Sequence, residues 1–444
     1  MAFFRKAILV NGATFVGLVI HLAQTVLLTR ILGPAGIGQY SLVTSALMLS
    51  AQLFTLGLPV SLLYYCQHDQ ANRKAYTVNG LWATAVLGLA GTGVLGLATK
   101  TYSGYFGPLS WLACGVGALY VLATPLSGIT RNNLLCDIAA RKLSLMAVGS
   151  MAVPLALVAV LATVDRLDVT TGLLCFTVTP LVRSALGWWW MRNEVDFQIR
   201  PSRDLIGKLA WMGVRLSGVD VMFLLNSTFS IMLLKALNPN FEDLGYFSRG
   251  QQLAMAVVMT SQAVLPLLFS RWAALAAEHA TLNLELVMRF LATFSVGLIA
   301  VLAVGSKPLV LVLYGRPFLP AVGPMMILLP GTMFFLLSKV ATQFLGSRGL
   351  PELSTVMLVV GAVVNAMLSW FLIPRMGING AAVASTVGNL ILLVSLMATL
   401  RSRFGVRLGR CLWLTIKDCR GIIKQLHWNG SHVREPQDGL PQVQ

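Results

Sequence analysis

Blocks of about 20 predominantly apolar residues recur along the whole chain, separated by short stretches of charged residues, glycine and proline. A helix rising 1.5 Å per residue needs about 20 residues to cross a hydrocarbon core of roughly 30 Å, so each block predicts a transmembrane helix. In the first half the blocks fall near residues 8–29, 40–65, 77–99, 108–128, 143–164 and 170–191. In the second they fall near 209–234, 246–270, 285–305, 319–343, 354–373 and 380–400. The pattern predicts an all-α integral membrane protein of about 12 helices. The first apolar run continues past residue 25 without a small-residue cleavage site, so its helix is expected to be retained. No stretch between blocks is long enough for a folded domain.

Composition sharpens this picture. Of 444 residues, 56% are hydrophobic and 11% charged, where a soluble domain carries roughly a quarter charged residues. The formal charge of +17 would suggest a nucleic-acid partner in a soluble protein. Here Arg5, Lys6, Arg73, Lys74, Arg131, Arg141, Lys142, Arg192, Arg200, Arg203 and Lys208 fall in alternate loops on one side, and the basic tail joins them. Loops retained in the cytoplasm are rich in Lys and Arg, so the charge reads as topology, with both termini cytoplasmic and no nucleic acid implied. Trp188, Trp189 and Trp190 end the sixth block at the same face, where indole rings favour the headgroup layer. In the tail, residues 401–444, basic residues alternate with Leu and Ile before a polar terminus. That mixture suits either an in-plane amphipathic helix on anionic lipid or an unstructured, positively charged tail. Six scattered cysteines form neither a disulfide framework nor a metal site.

An internal repeat adds organisation. Gly38, Ser41 and Pro59 correspond to Gly245, Ser248 and Pro266 at a constant offset of 207 residues. An offset of six helices brings both halves into the bilayer in the same direction, related by a pseudo-twofold axis along the membrane normal. Two six-helix lobes, residues 1–200 and 201–400, are expected to face one another across a central cavity.

Ionisable groups inside a span cost about 2.5 kcal/mol or more at the membrane centre, so each is expected to face a cavity or a partner. The candidates are Arg183, Arg215, Asp220, Arg249 and Lys339. Four of these are cations, and guanidinium offers a planar fork of donors that matches phosphate oxygens. Arg183, Arg215 and Arg249 lie within about two turns of a predicted helix end, so each either lines a cavity or snorkels to the headgroups. Asp220 is a candidate for ion coupling; five residues from Arg215, it does not share a helix face with it. His21 and Gln24, three residues apart, do share a face and suit a cavity wall. His21 is a second ion-coupling candidate, although a lone histidine is more often structural. Among the uncharged polar residues, Asn226 and Asn365 suit interhelical hydrogen bonding.

The stretch LLTRILGPAGIGQYSLVTSALMLSAQLFTLGLPVSLLYY, residues 27–65, resembles the first helical hairpin of the bacterial polysaccharide transporters, the O-antigen flippases among them. VVNAMLSWFLIPRMGINGAAVASTVGNLILL, residues 363–393, resembles their late hairpin. Arg30, Gly33, Pro34, Gly38, Gly57, Asn365, Pro374, Gly377 and Gly380 occupy the motif positions, Arg30 as a further candidate cation and most of the others as architecture. The resemblance implies a MATE-like fold, within the superfamily that also holds drug antiporters and lipid II flippases. It further implies a protein of the bacterial inner membrane that reorients an undecaprenyl-diphosphate-linked oligosaccharide, without a cofactor. Other polysaccharide-assembly proteins are the further partners expected.

Two other readings stay open. An ion-coupled antiporter of small cationic molecules would share the fold but favour carboxylates in its cavity, and Asp220 is the sole acid placed in a span. A membrane polymerase or ligase resembles chains with a large external loop carrying catalytic Arg and His, whereas here every such loop is short and no HExxH, Walker or GxSxG motif occurs. No catalytic or metal-binding residue is therefore assigned.

Overall fold

The computed structural model describes residues 2–407 except 102, 108–110, 138, 193–194, 196–200 and 260–264. The tail beyond residue 407, and with it most of the expected amphipathic helix, lies outside the described residues, as does Arg200. The described chain is helical. It comprises α1 Ala2–Thr55, α2 Leu58–His68, α3 Arg73–Thr101, the short α4 Ser103–Phe106, α5 Trp111–Cys136, α6 Ala140–Thr163 and α7 Val169–Met191. The second half comprises α8 Arg203–Leu237, α9 Phe241–Ala254, α10 Ala256–Met259, α11 Leu265–Ala274, α12 Ala277–Val304 and α13 Ser306–Leu313. A 3₁₀ turn, Arg316–Ala321, then leads to α14 Val322–Ser347, α15 Pro351–Met376 and α16 Ile378–Phe404.

Ten helices among the described residues are long and apolar enough to span a membrane, and the first of them holds two spans. At 1.5 Å per residue α1 would run about 80 Å if straight, but Gly33 (φ 66°, ψ −179°) interrupts it and Pro34 follows. Proline has no N–H for the ladder, and the positive φ suits a residue without a Cβ. The chain folds back here: His21 and Gln24 of the first arm and Ser45 and Met48 of the second line one cavity. The predicted second span is broken rather than continuous, with Leu56 and Gly57 both at positive φ and Pro59 in the first turn of α2. Among the described residues the predicted eighth span is likewise interrupted, α9 giving way to α10 at Met255, with α11 following further on. With those pieces counted as one crossing, the helices make the expected 12 spans.

Outward faces are apolar, as lipid demands: Leu97, Val301 and Trp370 are all well exposed. Trp189, in the last turn of α7, is 62% exposed, as an interfacial indole should be.

The internal repeat is visible as reciprocal contact. Ser41 Oγ donates to Ser248 Oγ at 3.0 Å, and these residues are 207 apart. A Cβ on Gly38 would meet the Phe241 carbonyl, and one on Gly245 would meet the Pro34 carbonyl. Position 38 shifted forward by the 207-residue offset is 245, and position 241 shifted back by it is 34, so the two contacts exchange their partners, the signature of a twofold contact. The second arm of α1 thus crosses α9 backbone to backbone at the axis relating the two lobes, close to Gly33. We call this the Gly33 end of the bundle. At the other, the Gly57 end, Asn132 of α5 donates to the Pro59 carbonyl at 2.7 Å, and Gly57 packs on the Gly213 carbonyl of α8.

The second lobe is pinned by a buried amide network. Asn226 of α8 donates to Asn389 Oδ1 of α16 at 2.8 Å, and Asn365 of α15 donates to Asn226 Oδ1 at 3.2 Å. Ser230 and Ser385 close it at 2.8 Å, and Asn389 reaches the Gly331 carbonyl of α14. Of the other motif positions, Pro374 sits in the last turn of α15, Gly377 joins α15 to α16, and Gly380 packs against the Leu372 carbonyl. These are structural roles.

Candidate functional site

Two adjoining cavities run between the lobes. The first, of about 370 Å³, lies toward the Gly33 end and is lined by His21, Gln24, Thr25 and Leu28 from the first arm of α1, and by Tyr40, Ser41, Thr44, Ser45 and Met48 from the second. Tyr120 and Phe176 stack at 4.6 Å between ring centroids along one wall, with Tyr40 edge-on to Phe176. Arg183, Arg249 and Gln252 supply the strongest polarity.

The second cavity, of about 530 Å³, reaches the Gly57 end, where Arg131, Asn132 and Leu135 of the last turns of α5 line it with Gln52, Arg183, Ser217 and Asp220. Thr124, Ser127 and Arg183 belong to both cavities, so Arg183 stands at the neck of one polar tract.

The helices dictate how these groups are presented. Asp168 caps α7, its Oδ1 accepting from the Thr171 N–H at 2.7 Å while the Thr171 hydroxyl accepts from the Asp168 N–H. This fixes the Gly33 end of α7 and, 15 residues on, the position of Arg183. Arg183 Nε donates to Ser150 Oγ of α6 at 3.1 Å, and its side chain lines both cavities. Arg249 is 5% exposed and donates to Gln252 Oε1 on its own helix. Among the described residues Gln24 Oε1 has no hydrogen-bond partner, while Arg249 lies against the buried Tyr314 hydroxyl. Neither Arg131, Arg183 nor Arg249 has a carboxylate within ion-pair distance among the described residues. An unpaired cation in such a place is expensive unless water or an anion joins it.

The remaining candidates lie elsewhere. Arg215, a candidate for the cavity wall, instead pairs with Glu352 of α15, Nε to Oε1 at 2.5 Å, with both side chains half exposed. Arg30 donates to the Val312 and Leu313 carbonyls, capping the end of α13, whose last carbonyls have no partners within the helix. Lys339 rests 5.2 Å and 5.4 Å from the ring centroids of Phe223 and Phe335. Asp220 and Lys339 attract one another electrostatically, and only Asp220 of the two lines the tract. At the Gly57 end, Arg73 holds Asp137 at 2.5 Å and Asn133 at 3.0 Å. Its guanidinium keeps the Asp137 carboxyl below the usual carboxylate range.

Sequence reasoning missed Arg131. The fourth block was ended near residue 128, but α5 continues to Cys136 and brings Arg131 into the tract. The signal was available, because Ile129, Asn133 and Leu134 keep up a buried helical periodicity. The aromatic wall was also missed, since Tyr40, Tyr120 and Phe176 come from three helices.

Comparison with known proteins bears on this geometry. Residues 27–323 match the family described as "Polysaccharide biosynthesis protein". The chain belongs to that family. Its fold is similar to that of an inward-facing multidrug resistance MATE family transporter of the MOP superfamily, with TM-score 0.74, 12% identity, and coverage of 90% of this chain and 98% of that one. It is also similar to the lipid II flippase MurJ in an inward closed conformation, with TM-score 0.73, 11% identity, and coverage of 96% and 94%. An uncharacterized membrane protein of Methanocaldococcus jannaschii is 33% identical over 81 residues, which are 18% of this chain and 16% of that relative. This member of the polysaccharide biosynthesis family is therefore a multi-pass membrane protein with the fold of transporters and flippases.

Proposed function

We propose that the chain is a flippase that carries an undecaprenyl-diphosphate-linked oligosaccharide, an O-antigen or exopolysaccharide repeat unit, across the cytoplasmic membrane by alternating access. The observation that carries this reading is that Arg131 and Arg183 line one tract, with neither in an ion pair among the described residues. Two guanidinium groups give a diphosphate several charge-assisted hydrogen bonds, while the aromatic and hydroxyl-lined first cavity suits sugar rings. The Gly57 end, where Arg73, Arg141, Lys142, Arg203 and Lys208 gather, is then cytoplasmic, with both termini on that side. Residues 1–200 and 201–400 rock as lobes about the Ser41–Ser248 crossing. Membrane lipids surround both lobes, with the basic tail against anionic headgroups.

A drug-antiporter chemistry fits the tract less well, because Arg131, Arg183 and Arg249 would repel a cationic cargo. Polysaccharide display in cells tests the choice. Arg131→Gln and Arg183→Gln should each lower surface polysaccharide at unchanged protein abundance. Arg215→Gln, outside the tract, should leave it unchanged. Normal display in both tract variants would defeat the proposal.

A further inference from the structure

We propose that the short helix α4 and the end of α13 are a pair of straps that latch the tract shut at the Gly33 end, and that opening toward that face requires both to let go. The inference rests on the flippase reading and deepens it. Each strap comes from one lobe and bonds to the other. Tyr105 of α4 donates its hydroxyl to the Met232 carbonyl of α8. In the opposite direction, Arg30 of α1 donates to the Val312 carbonyl and, from Nε at 3.0 Å, to the Leu313 carbonyl at the end of α13. The two straps are counterparts in the internal repeat. Positions 103–106, the extent of α4, shifted forward by the 207-residue offset are 310–313, the last turn of α13. Position 30, shifted likewise, is Leu237, where α8 ends. Each strap is therefore tied to the closing turns of the other lobe's first helix, as a twofold relation requires.

The surroundings of each strap fit the same duty. Phe106 is buried, and its carbonyl accepts from Gln39 Nε2 of the second arm of α1 at 3.1 Å. Gly107 follows at φ 76°, wedged so closely that a Cβ there would lie 3.0 Å from both Gln39 Nε2 and the Phe241 ring of α9. Position 39 shifted forward by the same offset is 246, and Tyr246 of α9 meets Phe318, just beyond α13, edge-on at 6.2 Å. Both straps thus sit beside the crossing of α1 and α9, and rocking the lobes apart at this end must break the Tyr105 and Arg30 bonds. Bonds made within one lobe would survive that motion. The pair is unequal in chemistry, because a neutral hydroxyl makes one bond whereas a guanidinium makes two and faces the negative end of a helix. The Arg30 strap is the stronger.

The test measures access to the tract. Ser45→Cys places a thiol in the wall of the first cavity of the full-length chain in cells, and an impermeant thiol reagent is added outside, with the chain lacking that thiol as background. Inside-out vesicles report access from the cytoplasmic face. Tyr105→Phe, which keeps the ring and loses the hydroxyl, should speed labelling from outside about threefold to tenfold. Arg30→Gln should speed it about tenfold or more, and the double variant further still, with no faster labelling from the cytoplasmic face. Unchanged outside labelling in either single variant, or a double variant no faster than Arg30→Gln, overturns the paired latch. So does faster labelling from both faces alike, which marks loosened packing. If Arg30→Gln does not accumulate, Tyr105→Phe decides alone. No lipid-linked cargo enters this assay, so a latch that behaves as stated in a chain that transfers no undecaprenyl-diphosphate lipid sinks the flippase reading and leaves the latch standing.

Discussion

Replacing Gly245 with alanine would put a Cβ 2.1 Å from the Pro34 carbonyl oxygen, and replacing Gly38 would put one 1.8 Å from the Phe241 carbonyl oxygen. Ordinary contact for a Cβ begins at 3.4 Å, so each methyl is short of room by more than 1 Å. In both cases the opposing atom is backbone, and no rotamer change relieves the clash. The second arm of α1 and α9 must move apart, opening the Gly33 end. Overpacking of this kind costs about 1–3 kcal/mol. If the closed crossing exists in one of two states, that cost shifts the population away from it by about 5- to 150-fold. The Ser41 and Ser248 hydroxyls, 3.0 Å apart, provide the readout. A Ser41→Cys/Ser248→Cys pair should cross-link readily under mild oxidation in the otherwise native chain, and adding Gly245→Ala should slow the reaction by roughly that factor. Unchanged cross-linking at unchanged melting temperature would refute the argument that the lobes touch here only in the closed state.

Three further outcomes follow from the same geometry. Asn226→Leu removes both a donor and an acceptor from the amide network of the second lobe, leaving Asn365 and Asn389 short of partners; a loss of about 1–3 kcal/mol is expected, measured as a lower unfolding midpoint in detergent. Glu352→Gln breaks a half-exposed ion pair with Arg215, and a cost of about 0–1 kcal/mol should leave the midpoint and surface polysaccharide nearly unchanged. Asp137 is held below its ordinary pKa by Arg73, so its contribution is present above the unfolded value of about 3.9 and is lost as pH falls through the depressed folded value. The stability difference between wild type and Asp137→Asn should therefore be seen at neutral pH and vanish in acid.

Much of the architecture was legible because lipid imposes a coarse code on sequence. Span number followed from apolar block length, and the pseudo-twofold followed from Gly38, Ser41 and their counterparts, residues that the axis requires to be small. The site was legible in part. Arg183, Arg249, His21 and Gln24 stood out as polar residues at membrane depth, and all four line the first cavity. Arg215 looked equivalent because its partner, Glu352, lies 137 residues away on another helix, a pairing no local spacing rule contains. Arg30 was similar, since its acceptors are the carbonyls ending α13. Arg131 was lost to a boundary error of two turns. The breaks in the second and eighth spans were hidden for another reason: hydropathy measures how greasy a segment is and carries no information on whether its hydrogen-bond ladder is continuous.

Translocation by the purified chain is the measurement closest to the central claim, that a guanidinium-lined tract between two lobes conducts a lipid-linked diphosphate. In proteoliposomes, a labelled undecaprenyl-diphosphate disaccharide should become accessible to an impermeant reagent at the opposite leaflet. The Arg131→Gln/Arg183→Gln double variant should slow this by at least about tenfold, since charge-assisted hydrogen bonds worth about 1.5–3 kcal/mol each are lost. Equal rates for wild type and the double variant, or no transfer by correctly folded wild type, would contradict the account.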